Sequence, residues 1–293
     1  MAIRSYMASR DMIAGGNMIK DSSLLFLGGA PRSGTTWVQL LLFHSGLFAS
    51  SQETHLFSGY LKSLQNSWSF YSSDKPARDG VGIGAFMDEA TMLTHAKAFT
   101  DHVLAGIAKT VPNAPFLLEK TPSHIQHTDF IWQLYPAARM VHIVRDPRAV
   151  VASLIAASNS WAGKWAAPVA RKNIWTWKNH IAKGREIEND PRVYTLKYED
   201  LLQSPVAGLR ELYRWLGKDI PDAALQEAID ACALDKVKDG KVEAPWKMSS
   251  EPKGFYRKAG TDAWKNELSR EDIMLIEELC SEEMVHYGYE VSQ

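Results

Sequence analysis

Two cysteines, Cys232 and Cys280, in a chain of 293 residues are too few and too far apart for a disulfide framework or a metal knuckle. They are expected to be buried thiols in a reducing compartment. No apolar run is long enough for a signal peptide or a membrane helix, and residues 1–22 carry charge at Arg4, Arg10, Asp11 and Lys20. That stretch is read as a loose tail on a cytoplasmic protein with no stable membrane insertion. Neither sign of charge is in excess, since the formal net charge is −1. No global basic field therefore draws the chain to nucleic acid or to a membrane surface, and any anion must be bound locally. There is no internal repeat, no heptad array and no cluster with metal-ligand spacing, so no metal is expected. With 45% hydrophobic residues, residues 23–293 can bury one full core as a single domain.

What the chain does have is a strand, a Gly-rich turn and a helix in immediate succession at residues 24–44, LLFLGGAPRSGTTWVQLLLFH. Leu24 to Leu27 read as a buried strand, Gly28 to Gly34 as a tight loop and Thr35 to Phe43 as the first turns of a helix. Such a loop aims backbone N–H groups and a helix N-terminus at one point, which suits a phosphate. Its spacing, Gly29-x4-Gly34-Thr35-Thr36, matches the phosphate loop of nucleotide hydrolases with one exception: Thr35 stands where they carry the Lys that reaches the β- and γ-phosphates. Arg32 supplies a cation three residues earlier. The expected fold class is α/β, with a P-loop-type central parallel sheet flanked by helices.

Further stretches repeat this logic. Glu53 lies ~20 residues beyond the loop, near the end of the next strand, where open α/β sheets place their chemistry. It can face a bound nucleotide there, or simply open the next helix as an N-terminal anion. Residues 58–85, with Tyr60, Trp68, Phe70 and Tyr71, read as a long lid or binding loop. Phe86, Ala90, Leu93, Ala96, Phe99, Val103 and Ile107 then form the apolar stripe of a helix. Pro115 to Leu118 form a short strand ending at Glu119-Lys120-Thr121-Pro122, and Pro122 stops the ladder and starts a helix. Lys120 at that end suits an anion, or an ion pair with Glu119 or Asp129.

In residues 139–158 a strand from Met140 to Val144 ends at Arg145, and Ser153 follows eight residues later in a helix begun by Asp146 and Pro147. A guanidinium and a hydroxyl so placed can jointly hold a dianionic phosphate. Trp161, Trp165, Trp175 and Trp177 read mainly as core, with Trp161 and Trp165 as candidate pocket walls. Val193 to Tyr198 alternates as a strand, and residues 204–234 read as helices. Lys253 to Gly260 read as a flap, or as a solvated charged loop, whose Arg257 and Lys258 suit a phosphate.

Four of these stretches together resemble the sulfotransferases that use 3′-phosphoadenosine 5′-phosphosulfate (PAPS). PRSGTTW resembles their 5′-phosphosulfate loop, which assigns Arg32, Ser33, Gly34, Thr35 and Thr36 to the donor. RDPRAVVAS resembles their 3′-phosphate motif, through Arg145 and Ser153. FYRKAGTDAWK resembles the C-terminal flap of the cytosolic members, bringing Arg257, Lys258 and Gly260 to that same phosphate. LKYEDL resembles their adenine-side strand with Tyr198 in the aromatic position, and Trp37 stands where their adenine-stacking Trp lies. The cytosolic Lys-x-His-x-Pro base motif is poorly matched by EKTPSH. EKTP and ETHLF resemble instead the heparan and tyrosylprotein branch, which implies Lys120 on the phosphosulfate, Glu53 as general base with His55 beside it, and His124 in reserve.

The resemblance implies in-line sulfuryl transfer to a hydroxyl, or less readily an amine, leaving adenosine 3′,5′-bisphosphate; residues 55–110 and 158–175 are aromatic without a cationic stripe, which points to a small-molecule acceptor. A homo-oligomer remains open, because the Lys-x3-Thr-Val dimer motif of cytosolic members is not found after Lys265. Two other readings stand beside it: a P-loop kinase, which Thr35 disfavours, and a nucleotide-binding protein of the same fold without turnover.

Overall fold

The five apolar segments that end in polar or glycine-containing turns all become strands of one sheet. The structure is a computed structural model that describes residues 20–71, 83–244, 246, 255 and 260–292. In chain order the elements are β1 (Leu24–Gly29), α1 (Thr35–His44), β2 (Phe48–Ser50), α2 (Lys62–Tyr71), α3 (Glu89–Ala108), β3 (Phe116–Lys120), α4 (Thr128–Leu134) and β4 (Arg139–Val144). They continue with α5 (Pro147–Ser158), α6 (Ala170–Ile187), β5 (Val193–Lys197), α7 (Tyr198–Gln203), α8 (Pro205–Trp215), α9 (Asp222–Ala231), α10 (Leu234–Lys238) and α11 (Arg270–His286).

The strand order is β2-β3-β1-β4-β5 and every pairing is parallel. Each link between neighbours is therefore a crossover, and helices cover both faces, which is why β1, β3 and β4 read as near-continuous apolar runs. β1 sits between β3 and β4, so the turns that leave these three strands open side by side at the carboxyl edge. That edge carries the loop, Lys120 and Arg145.

Three details depart from the sequence reading. Residues 62–71 form α2 rather than loop: Trp68 is buried, while Phe70 and Tyr71 are exposed. Residues 58–61 belong to a π-helical turn and 83–85 to a 3-10 turn, and residues 72–82 of the expected lid lie outside the described residues. In α3 the buried stripe is Met92, Ala96, Thr100, Leu104 and Ile107. It keeps Ala96 and Ile107 of the expected stripe but has Met92, Thr100 and Leu104 where Leu93, Phe99 and Val103 were expected, and Phe86, 91% exposed, lies before the helix that Asp88 caps. The stretch has apolar residues on adjacent positions, so two stripes fit the same period. Of the tryptophans, Trp177 is wholly buried whereas Trp165 and Trp175 are half exposed. Both cysteines are buried free thiols.

Candidate active site

The loop after β1 is shaped by two residues with left-handed backbone. Gly34 has φ of 95°, and a Cβ there would lie 2.5 Å from Tyr198 Cδ2. Only glycine fits both the dihedral and the space. Arg32, with φ of 73°, is the unusual one, since a long side chain rarely adopts that conformation outside functional turns. Ser33 N donates to Ala30 O at 3.1 Å and closes the turn. α1 then starts at Thr35 with no side-chain cap on Gly34, so its first N–H groups face the loop's concavity. Ser33 Oγ is buried there without a hydrogen-bond partner among the described residues.

Lys120, at the end of β3, is only 4% exposed. Its Nζ donates to Glu53 Oε1 at 2.5 Å and to Thr36 Oγ1 at 3.3 Å. A buried ammonium is tolerated because it is paired and hydrogen-bonded. Of the anions expected to pair with it, Asp129 is bound to Lys183 instead, and Glu119 faces the other side of the strand. Glu53 lies just beyond β2, with a side chain 31% exposed, and its Oε2 is 3.6 Å from His55 Nε2. His55 itself is left-handed, with φ of 52°, at the start of a π-helical turn over Leu56–Leu61.

Arg145, at the end of β4, donates from Nη1 to Arg32 O at 3.0 Å and from Nη2 to Gly260 O at 3.2 Å. Its guanidinium lies 4.3 Å over the Tyr198 ring, and its Nε is buried without a hydrogen-bond partner among the described residues. Behind it, Asp146 caps α5 by accepting from Arg148 N at 2.8 Å, and Trp177 Nε1 donates to Arg145 O at 2.9 Å. Ser153 Oγ accepts from Arg32 Nε at 3.0 Å. Arg32 also donates from Nη2 to Phe255 O at 2.5 Å, and its guanidinium lies 5.6 Å from the Trp161 ring and 4.9 Å from the Phe255 ring. The Arg32 side chain is thus held against α5 through Ser153. Tyr198 proves to be the first residue of α7 rather than part of β5. Its ring meets Trp37 edge-on at 5.7 Å. Burial pushes its phenol up, opposed by the Arg145 charge beside it.

These residues line one cavity of about 850 Å³, together with Trp161, Trp165 and Gly260. Two predicted residues stand apart from it. Ser33 lies beneath the loop, and His124 is sealed off with its Nδ1 against Glu119 and its ring edge-on to Phe26 and Phe57. His124 thus has no path to an acceptor, a correction to its reserve role. Arg257 and Lys258 lie outside the described residues. The sequence reading missed the wall formed by Ile229, Leu234, Val237, Trp246 and Trp264. Ile229 on α9 and Leu234 and Val237 on α10 carry no motif, whereas Trp264 stands in the FYRKAGTDAWK stretch. Among the described residues no group of three or more His, Cys, Asp or Glu is placed to hold a metal, and no helix is long and apolar enough to cross a membrane.

A cavity at the carboxyl edge of a five-stranded parallel sheet, floored by a Gly-rich loop and flanked by Lys120 and Arg145, defines an α/β anion-binding protein of the P-loop type. Within that class the chain belongs to the sulfotransferase family, whose model matches residues 25–222. It is similar to protein-tyrosine sulfotransferase 1 of Mus musculus, 33% identical over 144 residues that cover 49% of this chain and 37% of the relative. It is also similar to protein-tyrosine sulfotransferase 1 of Danio rerio, 28% identical over 208 residues that cover 70% and 56%. The chain thus spans about a third to a half of the length of these relatives. Mouse sulfotransferase SULT7A1, solved in complex with PAP, shares the fold: TM-score 0.59 and 15% identity, over 90% of this chain and 85% of that one.

Proposed function

We propose that this protein transfers the sulfuryl group of PAPS to the hydroxyl of a small acceptor, with Glu53 as general base. The observation that carries the reading is the position of Lys120, which touches both Glu53 and the loop hydroxyl of Thr36. One side chain thereby connects the group that would take a proton to the group that would hold the donor's 5′-phosphate. The residues present fit this donor: uncapped N–H groups at α1 and an unpartnered Arg145 Nε are polar atoms suited to two separated phosphates. PAPS supplies an activated sulfuryl group whose leaving group is the 5′-phosphate of adenosine 3′,5′-bisphosphate.

In this reading the backbone of Ser33 to Thr36 and the Thr35 and Thr36 hydroxyls hold the 5′-phosphate. Arg145 and Ser153 hold the 3′-phosphate, a role the resemblance extends to Arg257, Lys258 and Gly260. Trp37 and Tyr198 pack against the adenine. Glu53 accepts the acceptor's proton as its oxygen bonds to sulfur and the bond from sulfur to the bridging oxygen breaks. Lys120 meets the negative charge that grows on that bridging oxygen. Arg32, anchored at Ser153, keeps the two ends of the loop in register and adds positive charge to the donor. As in phosphoryl transfer, positioning and charge stabilisation are the protein's contribution.

Trp161, Trp165, Trp246 and Phe255 line the cavity, which is therefore strongly aromatic. This favours a neutral hydroxylated molecule over a polyanion. The names of the relatives support a second reading, a tyrosyl phenol on a peptide. Radiolabelled PAPS incubated with a panel of phenols, primary alcohols and tyrosyl peptides tests both. Label on the phenols and alcohols alone supports the small acceptor, and label on the peptides alone replaces it with the second reading.

A further inference from the structure

The backbone on both sides of Glu53 is tied down by side chains beneath it. Before it, Ser51 O accepts from Nε2 of the wholly buried Gln39 at 2.6 Å. After it, Thr54 donates twice to Glu119 Oε1, from N at 3.3 Å and from Oγ1 at 2.7 Å. His55 N donates to Thr121 Oγ1 at 3.3 Å, and that hydroxyl donates in turn to Glu119 Oε1 at 3.0 Å. Leu56 N donates to Thr54 Oγ1 at 3.1 Å. Glu119 is 1% exposed, and its second oxygen lies against His124 Nδ1. Burial alone would push this carboxyl up; His124 and the Thr54 and Thr121 hydroxyls outweigh it and hold the group below its ordinary value.

A buried carboxylate is costly to keep, so one that holds Thr54 directly and His55 through the Thr121 hydroxyl needs a reason. Glu119 and Lys120 are consecutive on β3 and face opposite sides of the sheet. Lys120 reaches the carboxylate of Glu53, and Glu119 reaches the backbone that carries it.

We propose that Glu119, Thr54 and His124 form a clamp of positioning residues that fixes Glu53 between Lys120 and the acceptor hydroxyl. The inference rests on Glu53 being the base. A general base works only within hydrogen-bond reach of the proton it takes, and a displacement of ~1 Å can cost ~10²-fold in rate. His124 belongs to this clamp and takes no proton from the acceptor.

Thr54→Val keeps the side-chain shape and removes the hydroxyl; Thr54→Ser restores it. Both are compared with wild type and Glu53→Gln in three measurements: titration with adenosine 3′,5′-bisphosphate, turnover of labelled PAPS with phenols of graded acidity, and hydrolysis of labelled PAPS with water as acceptor. The expected result for Thr54→Val is bisphosphate affinity within about twofold of wild type and kcat lowered ~10–100-fold. The loss should be greatest for the least acidic phenols, as it is for Glu53→Gln, because an acidic phenol needs less help in losing its proton. Thr54→Ser should recover most of the rate. If phenols are not turned over, the hydrolysis rates must show the same order among the four proteins. Wild-type rates in Thr54→Val, or a loss that neither varies with acceptor acidity nor recovers in Thr54→Ser, would overturn the clamp. Failure of wild type to bind the bisphosphate, or an inert Glu53→Gln, would instead overturn the reading on which the clamp rests.

Discussion

Lys120 Nζ and Glu53 Oε1 lie 2.5 Å apart, and the lysine is nearly buried while a third of the carboxylate is open to the cavity. Neutralising either partner should abolish turnover, with opposite effects on donor binding. Glu53→Gln should lower kcat by ~10²–10⁴-fold while binding adenosine 3′,5′-bisphosphate at least as tightly as wild type, because it leaves Lys120 an uncompensated cation beside Thr36. Lys120→Ala should lower kcat by ~10²–10³-fold and weaken the bisphosphate. Single-turnover kinetics and calorimetry on the two variants check the split.

Arg145 is fixed from three sides, by the Arg32 carbonyl, the Gly260 carbonyl and the Tyr198 ring. Such a preset guanidinium should discriminate a 3′-phosphate from a 3′-hydroxyl. Arg145→Ala is expected to weaken adenosine 3′,5′-bisphosphate by ~10–100-fold, the usual loss for charge-assisted hydrogen bonds, and to leave ADP within about threefold. Parallel titrations with the two ligands read the ratio directly.

His142, in the middle of β4, has both ring nitrogens buried without a hydrogen-bond partner among the described residues, and its ring packs on Gly184. Burial, helped by nearby His180, lowers it to about 3 from 6.5. The folded chain therefore keeps this ring neutral where the unfolded chain binds a proton. Its contribution to stability is complete above pH 6.5 and is lost progressively as pH falls from 6.5 towards 3. Thermal melts of His142→Leu should show a midpoint at pH 7.5 equal to or above that of wild type, since two unsatisfied polar atoms are removed. They should also show a shallower fall between pH 6.5 and 5. A steeper fall would contradict the assignment.

The loop after β1 and the strand end at Arg145 are legible in the sequence because their spacing is local. Gly29, Gly34 and Thr35 fix a strand–loop–helix, and Arg145 and Ser153 are linked by a strand end and one helix, so spacing along the chain becomes spacing in three dimensions. The base side was not legible to the same degree. Lys120 could be read as a strand-end cation, but its partner Glu53 lies on another strand and rose above a helix-opening role only through a family resemblance. Glu119 was seen only as a counter-ion for its neighbour, although adjacent strand residues face opposite sides. His124 looked available because spacing cannot tell a side chain aimed at a cavity from one sealed under it. Ile229, Leu234 and Val237 carry no motif, and residues 62–71 read as loop because Ser63, Asn66, Ser67 and Ser69 favour turns over helix interiors, although they form α2.

The account turns on a site built for a nucleotide with both a 5′- and a 3′-phosphate. Isothermal titration of the protein with adenosine 3′,5′-bisphosphate, ADP and ATP, each with and without Mg²⁺, tests it most directly. The expected result is binding of the bisphosphate that is tighter than that of ADP or ATP and indifferent to Mg²⁺. Tighter binding of ATP that depends on Mg²⁺ would contradict the account and return the loop to phosphoryl-transfer chemistry.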